Sequence, residues 1–249
     1  MIHLESFINL LHPMFRQPVL QFFQNPLIRD RFTRMPASTM ISRHQAYDGG
    51  LLDHTVDVLQ LALATARATA QASRSDGRFH FQNTQGDTCS FPQDHLILAA
   101  LFHDLHKIGD LKGQDGYVPN MNKGRGKNPV PTRSVAKPYA RNKELRQELR
   151  VNESHSEASY ILKHVLENEC IDDGILSLAM LYELDPNLYR LLPPEVVSAI
   201  EFHAGMYSLG RRRIEEHQKP LLLTLHYADM LSSRIQPDLI LENATEDVG

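Results

Sequence analysis

Six ionisable side chains stand where an amphipathic helix of a soluble protein carries apolar ones. Apolar residues recur at i, i+3, i+4 and i+7 along much of the chain, the spacing of helices with one buried stripe. His54 falls on the stripe of Leu51, Val58 and Leu61. His103 lies above Leu96, Ala99 and Ala100, and Asp104 above Ile97, Ala100 and Leu101. His155 precedes Ala158, Ser159 and Leu162 at helical offsets, His203 follows Val196, Ala199 and Ile200, and Asp229 follows Leu222 and Leu225. An ionised aspartate buried without a partner costs several kcal/mol at least. Two aspartates and four histidines on the inner faces of five helices therefore need a common solution. A pair of divalent metal ions supplies one. Imidazole nitrogen with carboxylate oxygen suits Mn, Fe, Co, Ni or Zn, whereas Mg and Ca prefer more oxygen. Taken singly, a histidine on an apolar face is more often a core residue bonded to a backbone carbonyl. The adjacent His103-Asp104 pair is the stronger signal, because few structural roles put an aspartate on the inner face of a helix.

The remaining patterning is helical. The spacing predicts one or two short helices over 4–24, broken near Pro13 and Pro18, another over 26–34, and a long one from Leu51 to about Gln71 after Gly49-Gly50. Residues 73–92 read as a loop or small hairpin. Asp94 is placed to N-cap a helix through DHLILAALFHDLHKI, ending near Gly109. Helices are expected at about 152–169, 173–184, 194–204 and 219–235. Strand-type alternation is scarce and no linker divides the chain. The expectation is one all-α domain over 1–249, a helical bundle around a metal site. Residues 1–45 form an N-terminal helical extension, 110–150 a long basic loop insertion without regular structure, and 240–249 a frayed acidic tail. No run of 18 apolar residues occurs, so no membrane span is expected. The N-terminus lacks the basic and small-residue features of a signal peptide. Two cysteines, Cys89 and Cys170, suit a reducing compartment, and a cytoplasmic location is expected.

The order His54, His103-Asp104, Asp229 resembles the HD phosphohydrolase superfamily. MPASTMISRHQAYDGGLLDHTVDVLQLAL is similar to the opening of the HD domains of YhaM-type 3′–5′ exoribonucleases and of phage and prophage HD proteins. LAALFHDLHKIG resembles their doublet helix, ESHSEASYIL the segment of the next histidine, and AIEFHAGMY and LHYADMLSSR the last two. The resemblance spans roughly 35–235 outside the loops. It implies a helical HD bundle in which His54, His103, Asp104 and Asp229 hold a first metal, Asp104 bridges, and His155 and His203 complete a second. A hydroxide between the ions would attack phosphorus. It also implies a phosphate-binding role for Lys107, which follows Asp104 by three residues, beside the plainer reading of a lysine at a helix C-terminus. His44 matches histidines that the related proteins carry near the site, as a substrate or transition-state donor, or else makes a helix contact. Two departures stand out. His106 occupies the place before the lysine where the family usually has a small residue, so it could narrow the pocket or add a donor. The RNA-binding domain that precedes the HD domain in the YhaM type has no counterpart in the helical 50 residues before His54.

The net charge is −4, which excludes a generally basic nucleic-acid coat. Charge is unevenly spread, however. Residues 123–150 carry nine lysines and arginines against Glu144 and Glu148. Lys123, Arg125 and Lys127 at its start are candidate substrate contacts for a phosphate-rich ligand, the alternative being a solvated charged loop. GRGKN at 124–128 lacks the first glycine and the final Ser/Thr of a phosphate loop. The function expected is metal-dependent hydrolysis of a phosphoester, with a nucleotide or a nucleic-acid end as substrate partner. Alternatives are a di-iron oxygenase using the same six ligands, a relaxase-like DNA nickase and a non-catalytic nucleotide-binding module. The oligomeric state is left open.

Overall fold

The computed structural model describes residues 2–35, 37, 45, 49–71, 76–82, 86–108, 117–120, 132–135, 173–205 and 219–234. Among them, nine α-helices and two short hairpins follow in order. They are α1 Ile2–Ile8, α2 Pro13–Gln24, α3 Pro26–Arg34, α4 Gly50–Thr69, β1 Arg78–Gln82, β2 Thr88–Pro92, α5 Gln93–Phe102, β3 Tyr117–Asn120, β4 Thr132–Val135, α6 Asp173–Leu184, α7 Pro186–Leu191, α8 Pro194–Glu201 and α9 Pro220–Arg234. A 3-10 turn, Leu105–Ile108, follows α5. The body is mostly helical, as the periodicity predicts. No described helix is long and apolar enough to cross a membrane.

Helix α5 is the axis of the core. Every residue from Leu96 to Phe102 is buried, so this helix is apolar on all sides rather than along one stripe. Helices α4 and α8 pack against it, α9 lies along α4, and α6 packs on the turn at 105–108. At the N-terminal side, Phe22 and Phe23 of α2 meet Phe102 at ring-centroid distances of 5.6 and 5.8 Å. Phe23 also meets Phe32 of α3 at 5.1 Å. The first three helices thus share the core that carries the His-Asp doublet.

Several sequence expectations are corrected. Pro18 does not break α2; it removes one backbone donor, while Phe15, Val19, Phe22 and Phe23 bury that helix's apolar face. Asp94 does not cap α5; its carboxylate accepts the backbone N–H of His12, at 3.2 and 3.3 Å, tying the α1–α2 turn to α5. The doublet helix stops at Phe102 rather than near Gly109. Helix α8 likewise ends at Glu201. Helix α7 was not foreseen. Asp185 caps it by accepting from the N–H groups of Asn187 and Leu188, with Pro186 in the first turn, a readable start signal in DPN. The segment 73–92 does contain the small hairpin expected as one of its two readings, antiparallel and pairing Phe79 with Phe91. Within 110–150, β3 pairs antiparallel with β4, Tyr117 opposite Val135, where no regular structure was expected. Aromatic and β-branched residues at those strands supply the propensity.

The Gly49-Gly50 start of α4 has a steric cause. Gly49 has φ +87°, and a Cβ on Gly50 would lie 1.9 Å from the Gln45 carbonyl oxygen. Gln45 is held over this point by its side-chain amide, which donates to Asp57 at 2.8 Å. The chain before α4 therefore crosses the helix start so closely that only glycine fits.

Candidate metal centre

Four of the six sequence-derived ligands converge at the end of α5. His54 comes from the second turn of α4, His103 and Asp104 from the step out of α5, and Asp229 from the middle of α9. The His54 Nε2 atom lies 3.3 Å from His103 Nε2, 3.3 Å from Asp104 Oδ2 and 3.2 Å from Asp229 Oδ1. His103 Nε2 is 3.5 Å from Asp104 Oδ2 and 4.0 Å from Asp229 Oδ1. Donors bonded to one ion at about 2.1 Å stand about 3.0–3.4 Å apart in octahedral or tetrahedral arrangements. Most of these separations fall in or near that range. His54, His103 and Asp104 are buried and could hold a metal ion. His203 stands beside them, its Nε2 3.9 Å from Asp104 Oδ1, the other oxygen of the same carboxylate, and its ring edge-on to that of His103 at 5.1 Å.

The way the helices end aims two of these rings. His103 Nδ1 lies 2.8 Å from the Ala100 carbonyl, and His203 Nδ1 lies 2.7 Å from the Ile200 carbonyl. A carbonyl only accepts, so each Nδ1 carries a proton and Nε2 is the nitrogen turned to the cluster. In both cases the carbonyl sits three residues back in the last turn of the helix; that of Ile200 also takes the backbone N–H of His203 at 3.4 Å. The helix terminus thereby supplies the hydrogen bond that fixes each ring, the kind of outer bond that orients a histidine at a metal site. His54 is oriented differently, by Ser232 Oγ at 2.9 Å from its Nδ1. Ser232 lies three residues after Asp229, so one face of α9 brings both a carboxylate and the hydroxyl. The sequence reading missed Ser232, although its spacing from Asp229 was the available signal.

Electrostatics favour a cation at the centre. Burial pushes His103 down to about 4, against the attraction of Asp104, so it is neutral at physiological pH. Burial pulls His54 down too, but hydrogen bonds with Asp104 and Asp229 outweigh it and leave its pKa raised. Burial would raise Asp104, yet Lys107, His103 and His54 hold its carboxyl well below the ordinary range. For Asp229, burial is likewise outweighed by the hydrogen bond and charge of His54, and the carboxyl stays ionised. Two carboxylates thus face one imidazole nitrogen. A single N–H cannot point along two linear hydrogen bonds, whereas a central cation attracts both carboxylates together. The donor set fits a borderline divalent metal.

Lys107 forms an ion pair with Asp104. Burial lowers its pKa, but the attraction and hydrogen bond of Asp104 raise it by more, so the ammonium stays charged. Its side chain remains 18% exposed. His106, expected to narrow the pocket or add a donor, is buried behind the doublet's carboxylate, its Nδ1 4.0 Å from Asp104 Oδ1. It is 1% exposed, with Nδ1 2.9 Å from Ser177 Oγ and Nε2 3.5 Å from Asp173. His226, for which the sequence offered no argument, donates from Nδ1 to the His203 carbonyl at 2.7 Å. Its ring occupies the space above Gly205, which has φ +59°. His44, Lys123, Arg125, Lys127 and His155 lie outside the described residues. Comparison with known proteins found no match to the chain among family models, curated proteins or solved structures.

Proposed function

We propose that the chain is a divalent-metal-dependent phosphohydrolase of the HD type, hydrolysing a phosphoester of a nucleotide or a nucleic-acid end. The observation that carries the reading is the meeting of His54, His103, Asp104 and Asp229 at mutual distances of 3.2–4.0 Å, with a charged lysine beside them. These four residues would hold one ion. Asp104, His203 and His155 would hold a second. The ions supply Lewis acidity toward phosphoryl oxygens and lower the pKa of an attacking water. Lys107 is part-exposed and charged, suited to bind a phosphate oxygen and to stabilise negative charge growing on it. The helix-end carbonyls keep His103 and His203 in the tautomer that leaves Nε2 free of a proton. The basic run from Lys123 to Arg150 favours a polyanionic substrate over a neutral one.

The test is a release assay. Purified protein with Mn²⁺, Fe²⁺, Co²⁺, Ni²⁺ or Mg²⁺ is offered deoxynucleoside triphosphates, nucleoside monophosphates, cyclic nucleotides and end-labelled DNA or RNA. Hydrolysis is expected without O₂ and is expected to vanish in His103→Ala. Turnover only in air, with no phosphate or nucleotide released, would replace this reading with a di-iron oxygenase.

A further inference from the structure

The His-Asp doublet sits where α5 gives way to a 3-10 turn: the His103 N–H still donates to the Ala99 carbonyl at 3.0 Å, but the helix ends at Phe102 and the His103 carbonyl turns to a side chain. One buried hydroxyl spans this step. Ser177, in the first turn and a half of α6, is 0% exposed. Its Oγ donates to the His103 carbonyl at 2.6 Å, with the Asp173 carbonyl at 3.1 Å as a second acceptor. It accepts the backbone N–H of His106 at 3.3 Å and lies 2.9 Å from His106 Nδ1. A hydroxyl has one proton and two lone pairs. With the ring N–H of His106 donating, all three are used, one on the carbonyl inside the doublet and two on the residue two places after it.

We propose that Ser177 is a positioning residue that holds the His103-Asp104 peptide in its metal-ligating orientation. The His103 carbonyl belongs to the peptide plane whose nitrogen is that of Asp104. Fixing that oxygen fixes the plane between the two ligands, and with it the directions in which both side chains leave the backbone. The His106 contacts hold the start of the 3-10 turn that follows. His106 therefore serves as the second post of a clasp, buried with its Nδ1 4.0 Å from Asp104 Oδ1. Helix α6 contributes no ligand among the described residues; its contribution is this hydroxyl. The proposal rests on the metal-site reading above.

The experiment is Mn²⁺ titration of the full chain, read by loss of the free-ion electron paramagnetic resonance signal, with thermal melting of the metal-free protein alongside. Ser177→Ala is expected to weaken Mn²⁺ binding about 10–100-fold, the usual range for loss of an outer hydrogen-bond partner of a metal ligand. Ser177→Thr keeps the oxygen and is expected to bind within about threefold of wild type. A lower melting temperature in Ser177→Ala with Mn²⁺ affinity unchanged makes the residue a core hydroxyl only and overturns the proposal. So does an equal loss of affinity in Ser177→Thr, since the oxygen then does not matter. Where Ser177→Ala does not fold, Ser177→Cys takes its place, its thiol being a weak donor to a carbonyl. Failure of both to fold assigns Ser177 to the fold alone and also overturns the proposal. Wild-type protein that binds no Mn²⁺ is a separate result, overturning the metal reading itself.

Discussion

Replacing Gly205 by alanine should damage the protein through one identifiable contact. Gly205 has φ +59°, and a Cβ built there would stand 2.2 Å from His226 Cε1, 2.5 Å from Nε2 and 2.6 Å from Nδ1. No side-chain contact tolerates such distances, so the imidazole must leave its place. Its departure breaks the bond from Nδ1 to the His203 carbonyl, now 2.7 Å, a loss of about 1 kcal/mol. The left-handed backbone adds about 1–2 kcal/mol for any residue with a Cβ. Gly205→Ala should therefore cost about 2–3 kcal/mol. His226→Ala loses the same bond and should cost about 1 kcal/mol. In the double variant the clash has no target and the bond is lost only once. Its cost should fall short of the sum of the single costs by about 1 kcal/mol. Urea unfolding of the metal-free chain at pH 7, monitored by helical circular dichroism, measures all four corners of the cycle. A Gly205→Ala cost below about 0.5 kcal/mol, or strict additivity, would refute the reasoning.

Three further outcomes are expected. With metal removed by chelation, stability should fall as pH drops from 6.5 toward 4, because unfolded His103 takes up a proton that burial denies the folded one, whose pKa is pushed down to about 4. This contribution reaches at most about 3 kcal/mol. The raised pKa of His54 acts in the opposite sense, its contribution being lost as pH rises, and the depressed Asp104 and Asp229 extend the acid loss below the ordinary carboxylate range. Urea midpoints at several pH values check this, and a slope in that window unchanged by His103→Gln would contradict it. Asp104→Ala should abolish tight metal binding, as measured by metal content after gel filtration; unchanged stoichiometry would remove Asp104 from the ligand set. Joint neutralisation of Lys123, Arg125 and Lys127 should raise KM more than it lowers kcat, and an unchanged KM for every phosphorylated substrate would count against their role in binding.

The sequence made the convergence of polar groups legible but not its mechanics. His54 and Asp229 were readable because α4 and α9 are regular helices, so offsets of three and four residues report a face. For His103 and Asp104 the same reasoning reached the right place by an incomplete route. Helix α5 is buried all round, so no face singles out the doublet. The chain also leaves the α-helix at Phe102, and beyond that point the 3.6-residue period no longer assigns direction. What orients the doublet is one local bond set by where the helix ends, to the Ala100 carbonyl, and one non-local bond, from the hydroxyl of Ser177, 74 residues away. Pattern reading has no access to such pairings, since a serine in an apolar helix usually bonds back to its own backbone. Ser177 does that too, toward Asp173, while spending its shorter bond on His103.

The same distinction explains why the two histidines at helix ends behave alike. His103 caps α5, and His203 follows α8 by two residues. A helix that stopped earlier would carry the Ala100 or Ile200 carbonyl out of reach of the ring. A carbonyl oxygen has two lone pairs, so that of Ile200 takes both the His203 backbone N–H at 3.4 Å and the ring at 2.7 Å. The bond at Nδ1 sets the tautomer, and the tautomer sets which nitrogen faces Asp104. Phe102 and Phe202 stand just before these histidines, and both are buried. Anchoring each helix end by an aromatic ring in the core keeps the last turn from fraying. The apolar core and the donor geometry of the site are in this sense one construction, with Phe102 packed against Phe22 and Phe23 on one side of the chain and His103 turned toward His54 on the other.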